Sequence, residues 1–373
     1  MGFMENNIRC LKFSYVLHFN YFCRIKADTV MNIPQIRVIS QQLVGSQFSD
    51  VHDLVSWMGM LQAQEYRMVR WAVGMRMKEP SMSAFQKAYD TGRIVRTHLF
   101  RCTWQLVAAE DLRWMLKLCA DKNRSAIRGY LAYRGRTIDE KEYEYANQLI
   151  RQVLMGQKTM RKDELLARLA EKGLADDAHT MSIYLRRAEL EGIICSGELD
   201  PKQITYALID ERIPHTPDMT REESLLLLAR KYFRSHSPAT LEDFVWWTNL
   251  GIGECRRAIE AMGDELVAEP YKDCTYFIHR DCRVRGGRRQ TLLLPSYDEY
   301  LLGYKSRHHV LDEAFRHRAH NNFGVFYPVI LYDGNIVGNW HPHKPATFFR
   351  EEETVDISDA LLRYRKFMDS GKR

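Results

Sequence analysis

With 373 residues, 45% of them hydrophobic and 27% charged, the chain has material for two or more packed cores and exceeds what one small core can serve. Its formal net charge of +6 points toward an anionic partner, and it excludes a strongly acidic protein. The eight cysteines are scattered and form no C-x-x-C pair, so they read as reduced thiols of a cytoplasmic protein and predict neither a disulfide framework nor a metal site.

Residues 1–30 are aromatic-rich, but polar residues interrupt every apolar run before it reaches signal or spanning length. They are expected to be a disordered extension, or a start assigned too far upstream of Met31. From Ile36 to about Leu118 apolar residues recur at helical spacing, first in "IRVISQQLV" and then in "VHDLVSWMGMLQ", with Ser49 as the candidate cap. The later part of this helical domain is basic: Arg93 to Arg136 holds ten Lys and Arg against three Asp and Glu. Such a run is either a solvated helix face or a nucleic-acid footprint.

A second unit begins near Thr159. "TMRKDELLARLAEKGL" and "DAHTMSIYLRRAELEG" predict two amphipathic helices, followed by "IICSG", a turn at "ELDPKQ" and the strand "ITYALI". Helix, helix and short hairpin is the layout of a winged helix. The order returns in "TREESLLLLARKYFRSHS", "TLEDFVWWTNL", "IGECRRAIEAMG" and the hairpin "ELVAEPYKDCTYFI", which argues for tandem units. Phe244, Trp246 and Trp247 fall in a helical apolar stripe and read as core. Beyond Asp281 short alternating runs broken by Pro and Gly, with "YDGN" as a hairpin turn, predict a small antiparallel β region.

The segments "MLQAQ", "LARKYFRSHSPATLEDFVWWTNL", "LLPSYDEYLLGYKSR" and "GVFYPVILYDGNIVGNW" together resemble the bacterial winged-helix DNA glycosylases of the AlkZ and YcaQ type, from about Ile36 to Phe349. The resemblance implies an α+β fold: tandem winged helices at residues 31–155, 156–215 and 216–282, then a β-rich domain at 283–373, in a C shape around duplex DNA. It also implies removal of N7-alkylated purines, including crosslinked ones, by a monofunctional enzyme without cofactor, metal or nucleotide. The family's Gln-x-Gln catalytic pair matches Gln62 and Gln64. In "FRCTWQLVAAEDL" this chain has Gln105 where many relatives have a histidine, and His341-Pro342-His343 stands where a basic residue often follows Gly-x-Trp.

Carboxamides have no useful pKa, so a role for Gln62 and Gln64 must be positional and electrostatic. Residues two apart point to opposite sides of an ideal helix, so Gln62 to Glu65 is expected at a helix end or in the following loop. Arg67, Arg96, Arg101, Arg124, Arg128, Lys305 and Arg307 are the candidate contacts to phosphates of double-stranded DNA. Asp298 and Glu299 either orient those bases or cap a helix. A monomer with no membrane contact is expected; a non-catalytic winged-helix DNA binder, a regulator or nucleoid-associated protein, is the alternative reading.

Overall fold

The structure, a computed structural model, describes residues 31–284 and 290–371, and the reading of 1–30 as an extension falls outside them. The fold below is that of the unit beginning at Ile33.

Helix α1 (Ile33–Ser40) leads to α2 (Val51–Met58), whose cap is Asp50 and not Ser49, because the Asp50 carboxylate accepts from the His52 and Asp53 N–H groups. The helix does not continue through "GMLQ". Gly59 ends it at φ 77°, a left-handed conformation that favours glycine, and any Cβ there would lie 3.0 Å from Lys231 Cβ. The chain then enters the short strand β1 (Leu61–Gln62), followed by α3 (Met68–Gly74) and α4 (Met82–Asp90).

The basic stretch begins with two strands, β2 (Ile94–His98) and β3 (Trp104–Ala108), before the long helix α5 (Leu112–Tyr133). Together with β1 they form an antiparallel sheet of order β1-β3-β2, in which Gln62 faces Gln105. All five β2 residues are buried, so no inside-outside alternation marked them as a strand.

Next come α6 (Glu140–Leu154), β4 (Met160–Arg161), α7 (Lys162–Glu171), α8 (Ala178–Leu190), β5 (Ile194–Ser196), β6 (Thr205–Leu208) and the single turn α9 (Ile209–Arg212). The strands form a sheet of order β4-β6-β5. Its core holds Leu165, Leu169, Leu185 and Ile194. The third run follows the expected order: α10 (Arg221–His236), α11 (Leu241–Thr248), α12 (Ile252–Met262) and the hairpin β7 (Leu266–Tyr271) with β8 (Cys274–His279). Reciprocal capping boxes, Thr220 with Glu223 and Thr240 with Asp243, fix where α10 and α11 start.

In the last part β9 (Thr291–Leu294) precedes the short helix α13 (Glu299–Leu302), and the turn α14 (Arg316–Ala319) precedes β10 (Val329–Tyr332), β11 (Asn335–His341) and β12 (Lys344–Phe348). The antiparallel order is β12-β11-β10-β9, and Asp333 and Gly334, both at positive φ, make the turn expected at "YDGN". The closing helix α15 (Ser358–Asp369) was not anticipated from the strand-rich texture. Phe367 and Tyr364 on it meet Trp71 at ring distances of 5.4 Å, and a side chain at Gly74 would strike Phe367.

Candidate active site

Gln62 lies in a strand, so its expected place at a helix end or loop is corrected. Residues two apart along extended chain share a face, which removes the opposition a helix would impose, though the strand itself ends at Gln62. Ala63 N–H donates to the Trp104 carbonyl (2.8 Å), carrying the ladder one step past Gln62, and Gln64 follows in the loop. Gln62 is buried at 5% exposure and Gln64 is exposed.

Three donors converge on Gln62 Oε1: Gln105 Nε2 at 2.9 Å, Arg101 Nη2 at 3.1 Å and Thr103 Oγ1 at 3.4 Å. Gln64 Oε1 accepts one long bond, from the Trp104 N–H at 3.3 Å. Gln105, the ladder partner of Gln62, thus touches the first glutamine directly. Arg101 reaches Gln62 because the β2–β3 connection is folded back. Arg101 and Cys102 both adopt left-handed backbone, at φ 60° and 55°, which costs a non-glycine residue about 1–2 kcal/mol. The turn is held by Cys102 N–H to the Leu99 carbonyl and by Asn123 Nδ2 to the same oxygen.

Beneath the glutamine is a carboxylate from 237 residues away. Glu299 Oε1 accepts the Gln62 backbone N–H at 2.7 Å, and Oε2 accepts Trp247 Nε1 at 3.1 Å, with His236 Nε2 at 3.5 Å. Glu299 is 1% exposed. Burial alone would push this carboxyl up, but His236, the Arg101 charge and the Gln62 N–H outweigh it and hold it below the ordinary carboxylate range. For His236, burial outweighs the attraction of Glu299 and lowers its pKa. Asp298 does cap α13, through Tyr300 N–H, and it also clamps buried Arg76 with bonds of 2.7 and 2.8 Å.

The rim is aromatic and cationic. Arg101 Nη1 donates to the Trp246 carbonyl (3.2 Å), and the Arg307 guanidinium lies 5.3 Å from the Trp246 ring and 5.1 Å from that of Phe326. Trp246, read from sequence as core, is 39% exposed here, whereas Trp247 and Phe244 are fully buried. Arg307 Nη2 is buried without a hydrogen-bond partner, and burial, with Arg101 and Arg316 nearby, lowers its pKa to about 10. Neither Arg101 nor Arg307 forms an ion pair among the described residues, so the rim holds positive charge ready for an anion.

A family described as "DNA glycosylase AlkZ-like" matches residues 55–362, which is most of the chain. This chain belongs to that family. Among solved structures, the DNA glycosylase AlkZ of Streptomyces sahachiroi is similar at a TM-score of 0.72 and 20% identity, covering 89% of this chain and 95% of that one. At that identity the likeness speaks for the AlkZ fold. No curated protein matches.

Of the expected phosphate contacts in this AlkZ-like chain, Arg101 and Arg307 meet at the rim. Arg67, Arg128 and Lys305 are exposed, just before α3, on α5 and in the loop after α13. Arg124 pairs with Asp121 and Glu191 at 3.0 Å each. Arg96 is corrected: at 2% exposure it donates to the Ala63 carbonyl and stacks 3.8 Å from the Trp104 ring, so it braces the Gln62–Gln64 segment from inside and cannot meet a phosphate. Gln105 and Trp246 were missed as site residues, and Glu299 had been weighed only as an orienting or capping group. Among the described residues the one carboxylate-imidazole group close enough to share a metal is Asp50, His52 and Asp53, and Asp50 is already engaged as a cap and by Arg93 at 2.9 Å. No described helix is long and apolar enough to cross a membrane.

Proposed function

We propose that this glycosylase-family chain hydrolyses the N-glycosidic bond of N7-alkylated purines in duplex DNA, crosslinked ones included, with Gln62 and Gln64 meeting the reacting sugar. The observation that carries the reading is the Gln62 amide fixed by three donors above the buried Glu299 carboxyl, which accepts the Gln62 N–H. N7 alkylation makes the base a cation. When the C1′–N9 bond breaks, its electron pair returns to the ring and neutralises that charge, so the reaction needs no general acid. A water then adds to C1′ and loses its proton to solvent.

What the protein must supply is position and field. Gln62 is held before the substrate arrives, so its dipole costs no reorganisation during the reaction. Gln64 Oε1, holding one long bond, accepts a hydrogen bond from the attacking water and orients it, while the proton leaves to solvent. Glu299 acts through Gln62 as a positioning residue, and its negative charge favours the oxocarbenium-like sugar in a poorly solvated site. Arg101 and Arg307 hold the flanking phosphates and set the register without reading sequence. In this reading residues 31–155, 156–215 and 216–282 are three winged helices which, with 283–373, curve around the duplex, and the protein acts in the cytoplasm as a monomer without cofactor.

The test is release of N7-methylguanine from methylated duplex by the wild type and by a folded, DNA-binding Gln62→Ala, Gln64→Ala variant. The wild type is expected to release the base, and the variant to lose on the order of 10²–10³-fold in rate, as when a preorganised dipole is removed. Undiminished release by the variant would move the chemistry elsewhere. No release by a wild type that binds DNA would favour the non-catalytic binder.

A further inference from the structure

The loop between α14 and β10 carries Phe323 at 94% exposure, the most exposed of the large apolar side chains described. Its support is a hydrogen-bonded turn. Asn321 Oδ1 accepts the N–H groups of Phe323 (2.9 Å) and Val325 (3.1 Å), Asn321 N–H donates to the Val325 carbonyl, and His320 bridges to Phe326. Gly324 turns the tip at φ 78°. A phenyl ring held out on an ordered loop, not folded back onto it, forgoes burial in the free protein.

The loop is continuous with the active site. Phe326 at its base packs on Arg307, Arg307 lies over Trp246, and the Trp246 carbonyl holds Arg101, which donates to Gln62. Asn321 Nδ2 bonds half-exposed Tyr327 at 3.3 Å, and Arg316 Nη1 holds Asn322, the neighbour of Phe323, at 3.3 Å. Aromatic rings and guanidiniums thus alternate from the glutamine to the tip, the pattern that suits stacked bases flanked by phosphates. One projecting ring is too little for a protein interface, which buries about 800 Å² per partner, but it fills one opened base step.

We infer that Phe323 is a wedge that enters the base stack of duplex DNA beside the nucleotide held at Gln62 and holds that step open during hydrolysis. The inference rests on the proposed reading that the chain acts on duplex DNA. The wedge recognises any stack weakened by a lesion, so it adds selectivity for damage with no preference for sequence.

The experiment uses duplexes with a single N7-methylguanine and a 2-aminopurine placed beside or opposite it, bound by the full chain. On wild-type binding, 2-aminopurine fluorescence at one of these positions is expected to rise severalfold as the step unstacks. Phe323→Ala, which folds normally because its ring touches little, loses that rise and weakens lesion binding on the order of tenfold. Phe323→Leu, another apolar wedge, retains most of it. A fluorescence rise that survives in Phe323→Ala overturns the inference, as does a wild type that releases N7-methylguanine with no rise at any position, and in that case the glycosylase reading stands. A wild type that neither binds DNA nor releases base overturns both. Loss of a pulled-down protein partner by Phe323→Ala, with DNA signals unchanged, assigns the loop to a protein and overturns the wedge.

Discussion

Glu299 separates what a side chain does as a charge from what it does as a hydrogen-bond acceptor. Glu299→Gln keeps one oxygen, for either the Gln62 N–H or Trp247 Nε1, turns its NH2 toward the other donor, and removes the charge. We expect kcat for N7-methylguanine release to fall on the order of tenfold with little change in KM, because the lost interaction strengthens only as the sugar becomes cationic. The pH dependence has a defined sign. A carboxyl held below its ordinary value stays ionised when the unfolded chain's carboxyl begins to protonate, so its stabilisation is complete above about 4.5 and is lost as pH falls through the lower folded value. The acid limb of the wild-type stability profile should therefore flatten in Glu299→Gln, and urea midpoints from pH 3 to 7 measure it; an unchanged limb assigns the acid lability to other groups. Gln62 was legible as a motif, since its neighbours in sequence mark it. Gln105, Trp246 and Glu299 were not, because each is a site residue only through contacts across 43 to 237 positions. Arg96 misled for the converse reason: a basic run does not tell which of its guanidiniums the sheet will bury.

Most helices whose ends are written locally were legible, the cap of α2 at Asp50 and not Ser49 being the exception, and strands whose partners are remote were not. Thr220, Glu223, Thr240 and Asp243 lie within one turn of the helix starts they set, whereas β1 exists only because Leu61 and Gln62 find Leu106 and Gln105. The same locality explains the "YDGN" hairpin, and its absence explains why α15, which docks on Trp71 from the other end of the chain, went unseen. Helix α11 shows how an element start can serve a site. Asp243 caps with Thr240, pairs with buried Arg37 at 3.4 Å, and accepts the N–H groups of Lys305 (2.8 Å) and Ser306 (3.3 Å), fixing the segment that carries Arg307. Asp243→Ala strands a buried guanidinium, so we expect a loss of about 3–5 kcal/mol in urea unfolding together with weaker DNA binding. Asp50→Ala, an exposed cap, should cost only about 1 kcal/mol. Equal costs for the two would show that Asp243 is no more than a cap.

At the scale of the whole molecule, DNA affinity should be electrostatic and additive over the cations that reach the surface, the half-buried Arg307 included. We expect log K against log salt to be linear, with Arg67→Ala, Arg128→Ala, Lys305→Ala or Arg307→Ala each lowering the slope by about 0.9, while Arg96→Met lowers stability and leaves the slope intact. Fluorescence anisotropy across 50 to 300 mM salt measures this, and a slope change at Arg96 would contradict its burial. The reach from Gln62 to Glu299 carries a temporal consequence. A nascent chain synthesised as far as β8 already holds both glutamines, Arg101 and Trp246, yet lacks the carboxylate beneath them and the segment that presents Arg307. The proposed catalytic arrangement is thus completed late in synthesis, when α13 docks and brings Glu299 beneath Gln62. On the proposed reading, a partly made chain binds duplex DNA but lacks the carboxylate beneath Gln62 that supports base release.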